Sequence, residues 1–296
     1  MKIDAYQMAT DRICEMLEQG FIPWDKPWAM ASDSAWSGQD GHIYSLLNQF
    51  LLADPEKKYK DFDEMIKDIA GEWVTFKQAL DRGGNVKKRE HGRRIVFFKM
   101  FPKKDNDGNE TKDMIPVISW STVFKINQCE GIKQKFHLDA DCLYDFNADQ
   151  TADEVVSGYI YREGINFCTK HCNKATYSPK TDTVTLPLPE QFANNAEYYS
   201  TLFHELTHST GHPKRLNRIV KAAAFGDEDY SAEELVAEIG SASIMATLGI
   251  ENKDSFRNSA AYIQNWLKAL KNDKKMIVTA SSKAEKAIKL IFGIKE

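Results

Sequence analysis

His204-Glu205-Leu206-Thr207-His208 follows directly on Tyr198-Tyr199-Ser200-Thr201-Leu202-Phe203. The large apolar groups ahead of it mark a helix packed in a core rather than a solvated one. On a helix, residues four apart share a face, so His204 and His208 can offer two ring nitrogens to one metal ion. Glu205 sits beside them, placed to take a proton from a water at that ion. Two neutral imidazoles, a third ligand, an open position for water and a nearby carboxylate are what hydrolytic zinc chemistry needs. The expectation is a zinc-dependent hydrolase of the peptidase kind, with His204 and His208 as ligands and Glu205 as catalytic base. The same five letters also occur by chance on solvated helices, so the apolar neighbours carry the reading.

A third ligand is sought downstream, in Ser231-Ala232-Glu233-Glu234-Leu235-Val236-Ala237-Glu238-Ile239-Gly240. Ser231 reads as an N-cap with Glu234 at N3, which would give Glu234 a capping job. Glu234 and Glu238 are also four apart on one face. The pattern resembles the thermolysin-like zincins, where one Glu of a downstream helix binds zinc and an acid four residues later holds a zinc-bound His. Glu234 is expected as ligand and Glu238 as the acid behind a histidine; the reverse assignment is the alternative. Glu233 points off that face. A metzincin reading fails, because its third histidine would fall at Lys214 and His212 comes too early. Gly211 and Pro213 suit the stop of the motif helix, with His212 beside it.

The 296 residues favour two domains. No apolar run reaches the roughly 20 residues of a membrane span, and Met1-Lys2-Ile3-Asp4-Ala5-Tyr6 lacks a secretory h-region. Five cysteines, odd in number, argue against a disulfide framework and for a reducing cytoplasm. Cys168-Thr169-Lys170-His171-Cys172 lacks a second half at zinc-ribbon spacing, so its thiols read as structural.

The net charge of −4 does not announce a nucleic-acid binder. Charge is uneven, however: residues 77–104 hold 10 Lys and Arg against 2 Asp and Glu. Lys77, Lys87, Lys88, Arg89, Arg93 and Arg94 lie there. Such a window fits a phosphate-tracking face, or a hairpin edge protected by charge. Five of the six tryptophans fall in the first half, and Trp24 and Trp28 stand beside prolines in an irregular segment. Exposed rings interleaved with cations suit single-stranded nucleic acid, where stacking is worth about 1–3 kcal/mol per base. Trp73 and Trp120 lie in strand-like runs and read as core.

Periodicity predicts helices over 4–19, 46–53 and 62–70, and strands at 73–76, 94–99 and 116–120. The fold class expected is α+β. An acidic connector is expected at 146–157, then a strand-rich stretch with a hairpin over 176–187, the two motif helices and a helical C-terminal third. An edge strand beside such a site suits an extended peptide.

The chain is similar to the ArdC-type antirestriction proteins of conjugative plasmids. The resemblance rests on Pro23-Trp24 with Pro27-Trp28, Gly41-His42-Ile43-Tyr44 leading to Asn48, Trp73-Val74-Thr75-Phe76-Lys77-Gln78-Ala79, Gly83-Gly84-Asn85-Val86 and Val123-Phe124-Lys125-Ile126-Asn127-Gln128. It continues through Ala175-Thr176-Tyr177 with Asp182, Phe203 to His212, Arg215-Leu216-Asn217-Arg218, Glu233 to Glu238 and Tyr262-Ile263-Gln264-Asn265-Trp266-Leu267. It implies a domain over 1–145 that binds single-stranded DNA without sequence preference, and a zincin-like metallopeptidase domain over 158–296. It further implies Zn2+, or another divalent ion such as Mn2+, an unidentified protein substrate, and protection of incoming plasmid DNA from host restriction. The net charge of −4 over residues 1–150 departs from that expectation. Three readings compete. DNA binding itself protects; or the chain is a single-strand-stimulated protease of DNA-bound proteins; or the metal is purely structural. The last leaves Glu205 without a purpose. Tyr230, Tyr177 and Arg215 are the candidates for oxyanion support.

Overall fold

The computed structural model describes residues 4–24, 34–104, 110–137, 151–219, 228–250 and 260–294. Trp28 and Cys142 lie outside the described residues.

The N-terminal half opens with α1 (Ala5–Glu18), capped by Asp4, whose carboxylate accepts from the backbone N–H of Tyr6 and Gln7. Its apolar stripe buries Ile13, Met16 and Leu17. Next come β1 (Ala35–Ser37), α2 (Leu46–Leu51), α3 (Phe62–Ile69), β2 (Gly71–Thr75) and α4 (Phe76–Asp81). Thr75 and Gln78 cap α4 reciprocally. A small pair, β3 (Asn85–Val86) and β6 (Cys129–Glu130), flanks a long hairpin of β4 (Arg93–Lys104) and β5 (Glu110–Lys125). The main sheet runs β1-β2-β5-β4, with β1 parallel to β2 and the other pairs antiparallel. The two hairpin strands are much longer than the apolar runs 94–99 and 116–120 imply. Their outer parts pair with each other and carry exposed side chains, so no hydrophobic alternation toward a core marks them in the sequence.

The second half begins with α5 (Ala152–Glu163), which starts inside the segment read as an acidic connector. Thr151 and Glu154 form a capping box there, and Val155, Val156 and Tyr159 are buried. Acids in a first helical turn look like a solvated linker when the capping signal is missed. A three-stranded sheet follows, of β7 (Asn166–Thr169), β8 (Thr176–Ser178) and β9 (Thr183–Leu186), in the order β7-β9-β8. The hairpin of β8 and β9 is the one expected over 176–187. Then come α6 (Asn195–Thr210), α7 (Glu228–Thr247), α8 (Ala260–Asn272) and α9 (Met276–Phe292).

One continuous core joins the halves: α1 packs against α8 and α9, α2 packs against α9, and α9 in turn backs α6 and α7. Trp24 belongs to this junction. It is 0 % exposed, meets Trp266 edge-on with centroids 6.0 Å apart, and places Nε1 3.4 Å from the Tyr262 hydroxyl. The expectation of Trp24 as an exposed stacking ring is therefore wrong. A neighbouring proline made its segment irregular, but irregular backbone can still deliver a ring to a core. No helix among the described residues is long and apolar enough to cross a membrane.

Candidate metal centre and candidate nucleic-acid face

α6 places His204 and His208 one turn apart, and their Nε2 atoms face each other at 3.1 Å. From α7, Glu234 sets one carboxylate oxygen 3.5 Å from His204 Nε2 and the other 3.5 Å from His208 Nε2. These three side chains are the described set with donor atoms clustered tightly enough for a metal ion. A tetrahedron around zinc, with bonds of about 2.0–2.1 Å, has edges of about 3.3 Å. Separations of 3.1 and 3.5 Å fit such an ion, and the mixed nitrogen and oxygen donors suit a divalent metal.

Two more carboxylates stand behind the imidazoles. Glu238 Oε1 lies 3.9 Å from His204 Nδ1, on the side expected of that residue. Glu233 Oε1 lies 3.4 Å from His208 Nδ1, which the sequence reading did not foresee. Arg218 braces Glu233 with two hydrogen bonds of 3.0 and 2.8 Å, and donates to Thr210 Oγ1 and the Thr207 carbonyl. A Nδ1–H given to Glu233 leaves the His208 Nε2 lone pair facing the cluster. Adjacent acids on a helix stand about 100° apart. Glu233 and Glu234 can therefore serve opposite sides of one imidazole, a signal the face argument passed over.

The electrostatics follow from this enclosure. Burial disfavours a charged His208, but Glu233 and Glu234 outweigh it and push the ring up to about 10 when only protons compete. Burial likewise works against a Glu234 carboxylate, and the two histidines hold it well below the ordinary range. Glu205 is half-buried, and no described side chain takes up its carboxylate.

The cluster depends on close helix packing. A Cβ on Gly240 would stand 2.6 Å from Thr207 Cγ2, so α7 approaches α6 by lacking a side chain there. α7 begins at Glu228, which places Ser231 inside the helix rather than at its N-cap. Glu234 is thereby free of the capping job. His212 accepts from the Lys214 N–H and lies in the turn after α6, away from the donor set.

Two candidates for oxyanion support are already engaged elsewhere. Arg215, its side chain 2 % exposed, pairs with Asp182 at 2.5 Å and donates to the Ser209 carbonyl. Tyr177 gives its hydroxyl proton to Asp182. Both fasten the turn between β8 and β9 to the end of α6. The side chain of Tyr230 lies outside the described residues.

In the N-terminal half, Lys77, Lys87, Lys88, Arg89 and Arg94 are exposed. Arg94 lies over Trp120, with its guanidinium 4.9 Å from the ring centroid, and Lys87 donates to the Asn127 carbonyl. Arg93 differs: it pairs with Asp68 at 2.8 Å and Asp54 at 3.4 Å, and covers Trp73. It is a structural cation, and a run of like residues in sequence could not separate it from Arg94, which points out of the other face of the strand. The exposed rings lie elsewhere than expected. Phe98 and Phe101 of β4 are 49 % and 46 % exposed, beside exposed Lys99, Lys103 and Lys112. Phe76 of α4 is exposed next to Lys77.

Comparison with known proteins reports the same two parts. A family described as the N-terminal domain of anti-restriction factor ArdC matches residues 3–124, and one described as zincin-like metallopeptidase matches residues 154–283. Two crystal structures of antirestriction ArdC protein from the R388 plasmid cover 98 % of this chain and 97 % of theirs. The metal-free one is 34 % identical with a TM-score of 0.67, and the Mn(II)-bound one 32 % identical with a TM-score of 0.69. Two proteins named DNA primase TraC, of Escherichia coli, are each 30 % identical, over 315 and 302 residues, and this chain spans only 27 % and 19 % of their lengths.

Proposed function

The chain belongs to the ArdC type of antirestriction protein, and on that premise we propose that it binds single-stranded DNA without sequence preference and protects incoming plasmid DNA from host restriction. Residues 1–145 carry the DNA part, 158–296 the metallopeptidase part, and the protein acts in the cytoplasm. The DNA reading is supported by exposed Phe98 and Phe101 interleaved with Lys99, Lys103 and Lys112, joined by Arg94, Lys77, Lys87, Lys88 and Arg89. Flat rings take bases and cations follow phosphates.

The observation that carries the peptidase part is the convergence of His204, His208 and Glu234 with Glu205 alongside. These three residues would hold zinc, the ion that two imidazoles and a carboxylate suit, with Mn2+ the alternative. When bound, the ion lowers the pKa of a water toward about 7 and polarises a peptide carbonyl. Glu205 accepts the proton of the attacking water and returns it to the leaving amine. Glu233 and Glu238 keep both Nε2 atoms turned inward. The edge strand β8, packed beside α6, offers its open backbone to an extended peptide.

A second reading, a protease stimulated by single strands and aimed at DNA-bound proteins, draws on the shared core. α9 touches both α2 of the DNA part and α7 of the metal centre. Titration of labelled single-stranded and duplex DNA by fluorescence anisotropy at several salt concentrations tests the DNA role. Preference for the single strand, weakening with salt, is the expected result. Binding to neither form overturns it.

A further inference from the structure

Between the edge strand β4, the helix α2 and the helix α9 lies a cleft of about 510 Å³. That is within the roughly 300–1,000 Å³ of small-ligand sites, and it is distinct from the metal centre. Its walls are mainly apolar in area, with His42, Asn48, Ser281, Glu285 and Lys289 among the polar groups that reach it. Asn48 shows how the strand edge is read: its amide accepts from the Val96 N–H and donates to the Val96 carbonyl, both at 2.8 Å. Along an antiparallel strand, every second residue turns its N–H and C=O the same way. Phe98, two residues on and also lining the cleft, therefore presents the same donor and acceptor pair outward, and no described residue meets it. Across the cleft, Glu285 accepts the Leu46 N–H on Oε1 at 2.5 Å, which leaves Oε2 as the second acceptor of the carboxyl. Burial raises this carboxyl above its ordinary range. Ser281, 1 % exposed, lines the cleft with a hydroxyl that has no partner among the described residues, and Lys289 lies one turn beyond Glu285.

We propose that this cleft is a nucleobase pocket that prefers a base with an exocyclic amine, as in cytosine or adenine; one such pocket biases the base composition of a strand whose other contacts, stacked rings and phosphates, read no sequence. Such a base repeats at Phe98 what Asn48 does at Val96: a ring nitrogen accepts from the N–H, and the amine donates to the carbonyl. The amine's second hydrogen falls to Glu285. Thymine can match the strand edge through N3–H and O4, but it turns a carbonyl lone pair, not a donor, toward the carboxyl. Lys289 supplies the cation for an attached phosphate. The exposed ring of Phe98 joins the cleft to the hairpin surface, which makes a strand the natural source of the base. A peptide strand fits less well, because Asn48 already blocks the edge at Val96.

The pocket rests in part on the DNA reading, so the test has separate arms. The full chain is titrated with oligodeoxycytidine, oligothymidine, dCMP and dTMP, as wild type, Glu285→Gln and Ser282→Trp. Glutamine still accepts from Leu46 but turns a donor into the cleft; tryptophan at the exposed Ser282 plugs it from the rim. The expected result is a preference for cytosine over thymine on the order of tenfold, abolished in both variants. Preference in oligomers alone assigns the base to a strand, and preference in the free nucleotides too assigns a nucleotide site. If oligomers fail to bind but dCMP binds selectively and Ser282→Trp removes it, the DNA reading falls and the pocket stands. Equal affinity for both bases, or a preference that survives both variants, overturns the pocket.

Discussion

At the candidate metal centre, polar side chains converge in a half-buried space, and each has a neighbour behind it: Glu238 behind His204, Glu233 behind His208, Arg218 behind Glu233. Along β4 and β5, cations and rings stand outward and touch each other loosely, as Lys99 does over Phe97 at 5.4 Å. On the proposed function, one region would hold groups in one arrangement for chemistry on small atoms, and the other would spread interchangeable contacts for a long flexible ligand. Single substitutions should therefore be severe in the first and graded in the second.

The largest contrast is expected at Glu205. Glu205→Gln should keep the metal and lower peptide hydrolysis by about 10²–10⁴-fold, the range for a positioned acid–base group, while leaving DNA affinity unchanged. Metal content, peptide cleavage and anisotropy on one preparation check all three. Surviving hydrolysis would remove Glu205 from the mechanism; a fall in DNA affinity would break the separation of the regions. Trp24→Ala comes next. As a fully buried ring at the junction of the halves, it should cost about 3–5 kcal/mol of stability. A thermally normal Trp24→Ala with weakened DNA binding would return Trp24 to the DNA face.

These two residues show what the sequence could and could not disclose. The i and i+4 histidines and the i and i+4 glutamates were legible because helical period fixes which side chains meet, whatever surrounds them. The assignments of His204, His208, Glu234 and Glu238 needed no tertiary knowledge beyond two helices packing. Glu233 escaped the one-face argument because it stands about 100° round the helix from Glu234, and its brace, Arg218, comes from a loop. Trp24 against Phe98, and Arg93 against Arg94, were not separable, since only the assembled sheet and the C-terminal helices decide which groups are covered.

Glu233→Gln sharpens the comparison from the other side. Removing the acid behind His208 should weaken metal binding about 10–100-fold, the usual effect of deleting such a partner. A competition titration with a chromophoric chelator reads this directly, and unchanged affinity would make Glu233 a mere partner of Arg218. In the hairpin, Phe98→Ala and Phe101→Ala should each weaken single-strand binding by about 1–3 kcal/mol. Being exposed, they should hardly move the melting temperature. Replacing Lys99 and Lys103 by Gln should flatten the salt dependence by a slope of about 0.7 for each phosphate left without its cation.

The smallest effect belongs to Asp182, which serves neither region directly but fastens the turn after β8 to the end of α6. Burial alone would raise its carboxyl; the Arg215 guanidinium and the Tyr177 hydroxyl outweigh that and hold it below the ordinary value. A carboxylate lowered in the folded state stabilises at pH values above its unfolded pKa of about 3.9, and the contribution fades as pH falls through the folded value. Asp182→Asn suits the test, because Asp182 has a φ of +49° and asparagine tolerates that left-handed backbone. Melting curves from about pH 7 down to about pH 3 should show wild type ahead at neutral pH and the gap closing below about pH 4. A gap that stays constant would mean that the pair contributes through packing alone, and the clamp would then have no electrostatic share in holding β8 beside the metal centre.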